Sequence, residues 1–326
     1  MDEKRDLQLE IAQLIGSPIN VQLPVPVEMS AIADFSKVAA GEHVWRIQNL
    51  DLTADVILDV DSNGVITVIK RTPGSDVELT FKGLNSKLEY VLVDDVLNSA
   101  DQTTLARRKA SISRGMDKTE LKLVLDAMLT PTSTYYPANK QSNLNDVAAV
   151  SADDLYDVII SHKQSIEDYG DSFLLLAGKN VKNAIETYDK DNATEFNYNV
   201  TLEDRLAKAG IKVMKIFGQV SRADNEASVD LLDADTFILV AQNSRIVDGK
   251  PVQFVRRIIS PEIAKLMGAT VDSLERAVIV NPTPVQAVVS GTRQSLLAYG
   301  VYGYESVIFA ITNPYALASC DCSAIL

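Results

Sequence analysis

Cysteine, histidine and tryptophan are scarce in this chain of 326 residues, with two, two and one of each. The two cysteines, Cys320 and Cys322, flank Asp321 near the C-terminus, so no disulfide framework exists and a reducing, intracellular setting is expected. No run of 18 apolar residues occurs, so nothing reads as a membrane-spanning helix. The opening MDEKRDLQLEIAQLIG carries charge and lacks an apolar core of signal-peptide length. The sequons at Asn192 and Asn199 therefore read as coincidence. A concentrated basic face is missing too. Lys and Arg total 31 against 44 Asp and Glu, a net charge of −13, which argues against gripping nucleic acid by its phosphates. An acidic protein that lies close to nucleic acid without adhering to it stays compatible with that balance.

What is present suffices for a packed core: 46% hydrophobic and 23% charged residues. The length fits two domains, or one domain with long excursions. Residues 1–43 read as an arm, with a short amphipathic patch (Leu7, Ile11, Leu14, Ile15) and then Pro24 and Pro26. Residues 44–92 are β-rich, with strand runs at 44–47, 54–60, 65–69, 77–81 and 88–93. Turn signals fall at 61–64 and 72–76. From 103 to 129 the period changes. Leu105, Ile112, Met116, Leu123 and Ala127 form one narrow helical stripe, and Gly115 with Asp117-x-x-Glu120 is a candidate break. After a polar loop over 130–150, helices and strands alternate. A helix from Ser151 carries Leu155, Ile159, His162 and Ile166 on one face, and 173–177 reads as a buried strand. Further helices are predicted at 180–188 and 201–209, the second ended by Gly210. Strands are expected at 211–217 and 236–241, a hairpin around Asp248-Gly249, and a short helix from Pro261. Strand texture returns at 277–280, 285–289 and 296–312.

The chemical motifs fail on their own requirements. Asp59-x-Asp61-x-Asn63-Gly64 begins like a calcium loop, yet its twelfth position is Lys70 where a bidentate glutamate is needed. Gly178-Lys179-Asn180 follows a buried strand as a phosphate loop would, but Phe173 and Asn180 stand where glycine and Ser/Thr belong, so a plain strand-to-helix turn is expected. His162 lies on an apolar helix face and reads as a core residue. His43 has no nearby nucleophile, and no G-x-S-x-G supports a triad. Gly300-Val-Tyr-Gly303 is a fragment of a dinucleotide fingerprint inside a strand pattern. Cys320 and Cys322 are too few for zinc and read as ordinary thiols on a tail, the sharper alternative being a bond between subunits. No catalytic residue, cofactor or metal site is expected.

The order of parts carries more. An arm, a β-rich excursion, one long helix, a mixed α/β module and a return to strands resemble the major capsid proteins of tailed bacteriophages, the Hong Kong 97-type fold shared with encapsulins and the herpesvirus shell floor. GLNSKLEYVLVDDVLNSA running into the helix of 103–129 resembles the root of that family's extended loop and its spine helix. ADDLYDVIISHKQSIEDYGDSFLLLAGKNVKNAIE (152–186) resembles the opening of its axial domain, and VYGYESVIFAITNPYALASC (301–320) its final peripheral strand. The resemblance implies an α+β fold. Its parts would be an N-terminal arm (1–43), an extended β-hairpin loop (44–92), a spine helix and peripheral domain (93–149), an axial domain (150–290), and a return to the peripheral domain with a C-terminal tail (291–326).

It further implies a structural subunit, not an enzyme, that self-assembles into hexamers and pentamers of an icosahedral head around double-stranded DNA. Neighbouring subunits would be touched through Lys70, Val77, Leu79, Phe81 and Lys82. Self is the implied partner, with scaffolding, portal and decoration proteins as further classes of partner. DNA would be enclosed without sequence-specific binding and no membrane would be involved. The place would be the virion, assembled in the host cytoplasm. Some members join a loop lysine to a neighbour's asparagine. Lys70, Lys82 and Asn313 lie in relevant regions, but no catalytic carboxylate is identifiable and no cross-link is expected. With so short an arm, no cleaved scaffolding segment is expected either. The competing readings are an α/β, hydrolase-like enzyme with a β-rich accessory module, which would be a small oligomer with a deep pocket, and an encapsulin-like compartment shell.

Overall fold

The computed structural model describes residues 27–40, 42, 44–47, 77–86, 89–92, 104–129, 141–143, 152–192, 201–220, 228–242, 250–260, 262, 275–289 and 292–323. A short helix α1 (Val27–Ile32) leads into strand β1 (Ala33–Val38), followed by β2 (Val44–Ile47), β3 (Val77–Thr80), β4 (Lys82–Asn85) and β5 (Glu89–Leu92). The long helix α2 (Thr104–Leu129) and strand β6 (Gln141–Asn143) come next. Helix α3 (Ala152–Ile166), β7 (Ser172–Ala177), α4 (Lys179–Asn192), α5 (Leu202–Lys208), β8 (Ile211–Lys215), β9 (Gln219–Val220), β10 (Val229–Asp230) and β11 (Thr236–Gln242) follow. The chain ends with β12 (Val252–Arg257), β13 (Arg276–Val289), β14 (Thr292–Ile311) and β15 (Leu317–Asp321).

Local chemistry accounts for the boundaries. Helix α5 starts at a capping box: Thr201 Oγ1 accepts from the Asp204 amide at 3.0 Å, and the Asp204 carboxylate accepts from the Thr201 amide at 3.4 Å. It stops where Gly210 takes a φ of 80°, a left-handed conformation that glycine adopts without cost. Helix α2 runs unbroken through Gly115. A Cβ there would meet nothing within 4 Å, so the glycine neither kinks the helix nor accommodates a neighbour.

Two sheets sandwich α2. The five-stranded sheet has the order β6-β15-β11-β7-β8. Its central strands β7 and β11 are buried on both faces, as the unbroken apolar run 173–177 requires. Phe173, Leu175, Ala177, Phe237, Leu239, Ala318 and Cys320 pack with α3, α4 and α5. Leu174, Leu176, Ile238, Val240 and Leu317 face the other way. There they share one core with Leu121, Val124, Leu125 and Met128 of α2, with Met29 and Ile32 of α1, and with Val252, Phe254 and Val307 of the second sheet.

The second, six-stranded sheet is organised around β14, which pairs with β12, β13, β4 and β5. Val307 pairs with both Arg256 and Lys82, so β12 and β4 occupy opposite edges of β14. Strands β12 and β13 follow one another along one edge, β12 against residues 307–311 and β13 against 292–305. Strands β4 and β5 do the same on the other. Strand β1 extends the sheet in parallel with β12.

Two expectations change. By sequence, 150–290 forms one unit and 291–326 returns to the other; sheet membership cuts across both ranges. Strands β12 and β13 pair with β14, while β15 pairs with β11. The hairpin expected around Asp248-Gly249 lies outside the described residues. The candidate break at Gly115 is absent, since both flanks of α2 are held by core contacts. The strand runs at 54–60 and 65–69, with the calcium-like Asp59–Gly64, lie outside the described residues, as does most of the short helix from Pro261.

Candidate assembly surface and the charge cluster beneath it

The β-rich excursion is rooted on β14. Strands β4 and β5 hydrogen-bond along its edge, and β2 pairs with β3 so that Ile47 stands opposite Val77. The chain thus leaves the root at 47 and re-enters at 77 from adjacent positions. Of the residues expected to touch neighbours, Lys70 lies outside the described residues and Val77 sits at this exit. Leu79 is half-buried opposite Trp45. Phe81 is half-buried with the Arg257 guanidinium 5.4 Å from its ring centroid, and Lys82 is exposed with its ammonium 5.9 Å from the Phe309 ring. Phe81 and Lys82 therefore brace the root against its own sheet.

Beneath the root, α2 is clamped to the sheet by buried charge. Strand β12 ends and β13 begins beside residues 305–307 of β14, and at this junction Arg256, Arg276 and Glu305 turn towards α2. The Arg256 guanidinium makes a two-point contact with Glu120, Nε to Oε1 at 3.0 Å and Nη2 to Oε2 at 2.6 Å. Arg276 pairs with Glu305 through Nε. Its Nη1 donates to Asp117 at 2.7 Å and to the Ser113 carbonyl and hydroxyl, each at 2.9 Å. Its Nη2 lies 3.3 Å from Glu120. Glu275 joins Arg256 at 3.6 Å and also contacts Lys37 of β1. Glu120 and Glu305 are fully buried, and both arginines nearly so.

Among the described residues, four carboxylates (Asp117, Glu120, Glu275, Glu305) face three cations (Lys37, Arg256, Arg276), one negative charge too many. The consequence falls on Glu305. Burial, then the nearby Glu120 carboxylate, pushes its pKa from 4.5 up to about 7, against the pull of Arg276 and Arg256. Arg276 stays charged: burial opposes its cation, but Glu305, Glu120 and Asp117 outweigh that and raise it. Removing either arginine of such a cluster leaves uncompensated buried carboxylate charge, at a cost of about 3–5 kcal/mol. Sequence reasoning missed this cluster, singling out only Asp117 and Glu120 and those as a candidate helix break. The signal was available as charge interrupting apolar strand texture, Glu305 within VYGYESVIFA and Arg256 within VQFVRRII.

On its open side, α2 forms one wall of a cavity of about 1000 Å³, whose other walls come from residues 83–86 of the root and from Gln219 and Val220. Arg107, Arg114 and Lys118 line it and are exposed.

The remaining candidates have structural explanations. The Asn180 and Val181 amides at the start of α4 donate to the Ala234 carbonyl at 2.8 and 3.3 Å, so the donors a phosphate would use are engaged. Gly178 is required by the same approach, since a Cβ would fall 2.1 Å from the Asp233 carbonyl oxygen. His162 packs edge-on against Phe237 at 5.4 Å, with Nδ1 2.8 Å from the Val158 carbonyl; His43 lies outside the described residues. The cysteines are not on a tail. Both are buried in the core under α3–α5, with Cys322 Sγ donating to Cys320 Sγ at 3.7 Å. That hydrogen bond and burial hold the Cys322 thiol well above its ordinary range, which suppresses the reactive thiolate. Among the described residues, no helix is long and apolar enough to cross a membrane.

No protein-family model matches the chain, and no curated protein is similar to it in sequence. Solved structures are similar over almost its whole length. A phage-related protein from Bordetella bronchiseptica RB50 superposes with a TM-score of 0.52 at 13% identity, covering 94% of this chain and 95% of that one. A protein of Mycobacterium phage Adephagia gives 0.50 at 11%, covering 96% of both. The asymmetric unit of the bacteriophage PhiM1 mature capsid gives 0.50 at 12%, covering 94% and 90%. At such identities the likeness is one of fold. The chain has the α+β, Hong Kong 97-type fold of tailed-phage capsid subunits.

Proposed function

We propose that the chain is the structural subunit of an icosahedral phage head, assembling with copies of itself into hexamers and pentamers that enclose double-stranded DNA. The observation that carries this reading is the near-complete coverage of the fold shared with a mature phage capsid, joined to the pairing of β2 with β3 that sets Ile47 and Val77, the residues flanking 48–76, opposite each other. In this reading 44–92 is the extended loop, α2 the spine, the six-stranded sheet the peripheral domain, and the five-stranded sheet with α3–α5 the axial domain. A two-stranded excursion is marginal alone in water, and a neighbour would supply its missing core. Lys70, Val77 and Leu79 are assigned to that contact, while Phe81 and Lys82 stiffen the root. The function is mechanical, with no catalytic step, and its place is the virion after assembly in the host cytoplasm. A net charge of −13 suits a wall against which DNA packs without sticking.

Because Ile47 and Val77 are already cross-strand partners, replacing 48–76 by Asn-Gly closes β2 and β3 with a two-residue turn. The variant is expected to keep the unaltered chain's circular dichroism and melting transition, and to form no shells by negative-stain microscopy. Normal shells from it would overturn the loop assignment.

A further inference from the structure

The link between β8 and β9 turns an aromatic side chain outwards. Phe217 is 69% exposed, the most of any large apolar residue among the described residues. Gly218 beside it has a φ of 121°, a conformation that favours glycine, and its carbonyl accepts from the Leu231 amide at 2.9 Å. The turn is thereby fixed, and Phe217 is held at the lip of a groove of about 270 Å³. Leu121, Ile216 and Leu231, each buried, form its apolar floor. Three cations stand around it. Arg114 and Lys118 of α2 are exposed and have no carboxylate partner among the described residues. Lys215 of β8 is half-buried, its ammonium 5.5 Å from the Phe217 ring centroid. The Lys118 ammonium comes within 3.8 Å of where a Cβ on Gly218 would stand. Of the two carboxylates at the groove, Asp117 is already held by Arg276 at 2.7 Å, which leaves Glu28 of α1 against three positive charges.

We propose that this groove binds an acidic segment of a partner protein. One large apolar side chain of the partner sits on the floor against Phe217, and flanking carboxylates pair with Arg114, Lys118 and Lys215. The volume falls below the roughly 300 Å³ at which pockets begin to enclose a whole small-molecule ligand, so it suits one anchoring side chain of a longer partner. Charge then supplies selectivity. A chain with 44 acidic residues against 31 basic ones repels a carboxylate-rich partner on the whole. Such a partner is admitted where unpaired cations stand together, so a weak apolar anchor becomes specific to one place. The inference goes beyond the shell reading and applies to a single chain as to an assembled one.

Fluorescence anisotropy of a labelled peptide, a leucine between pairs of carboxylates, tests this on the full-length protein. Saturable binding that weakens with salt is expected. Phe217→Ser and Lys215→Glu are each expected to weaken it about tenfold while melting like the unaltered chain, and replacing the peptide's leucine by serine to do the same. A peptide with lysines in place of its carboxylates is expected not to bind. No binding of the acidic peptide, or equal binding by either variant or by the serine peptide, would overturn the proposal. So would tighter binding of oligothymidylate, which would mark the groove as a nucleic-acid contact. Loss of the particle peak by Phe217→Ser in size-exclusion chromatography would assign the groove to a second copy of the chain, and would overturn it equally. A protein that binds the acidic peptide yet never forms particles would keep the groove and sink the shell.

Discussion

Glu305 sits at the junction between helix α2 and the six-stranded sheet, paired with Arg276. Its carboxyl faces Glu120 as well as Arg276 and Arg256, and burial with the excess negative charge leaves it holding a proton near neutrality. The folded pKa of about 7 lies above the ordinary 4.5, so the folded state retains a proton that the unfolded chain releases across that window. The resulting stabilisation is complete below about 4.5 and is lost as pH rises through about 7. Glu305→Gln, neutral at every pH, lacks this slope. Melting temperatures at pH 5, 6, 7 and 8 are expected to show the unaltered protein losing ground to the variant as pH rises; parallel curves would contradict the assignment. At this scale the sequence was least legible. Leu155, Ile159 and Ile166 were readable as a buried stripe because apolar periodicity marks them. Glu120, Arg256, Arg276 and Glu305 were not, because charge reads as exposed until its partners, up to 163 positions away in sequence for Arg276 and Ser113, are brought beside it.

For α2 the sequence expectation of 103–129 and the observed Thr104–Leu129 nearly coincide. The stripe does not. Ile112 and Met116 are buried as expected, but the buried line continues through Glu120, Val124 and Met128, while Leu123 and Ala127 are only half-buried. An apolar template cannot step onto a glutamate, so it drifts to the next leucine. Gly115 lies in the exposed part of this helix with open space at its Cβ. Gly115→Ala is therefore expected to stabilise the subunit by about 1 kcal/mol, seen as a rise of a few degrees in melting temperature. A fall would mean that the glycine serves a contact absent from the isolated chain. The pairing of β12 with β14 was not legible either, because it is long-range and local turn chemistry carries no information about it.

At the scale of the molecule, the order of elements was enough to suggest the fold, and superposition on phage proteins across more than nine-tenths of the chain bears it out. What order could not show was how tightly the parts share one core. Residues of α1, α2 and both sheets meet in a single cluster, so the spine is a common wall and not a linker between domains. The central claim is that copies of this chain build a shell. Light scattering on the purified full-length protein, with negative-stain images of the same fraction, tests it most directly. Shell assembly predicts closed particles of megadalton mass. A monodisperse species at or near the 35.5 kDa of one chain would contradict it.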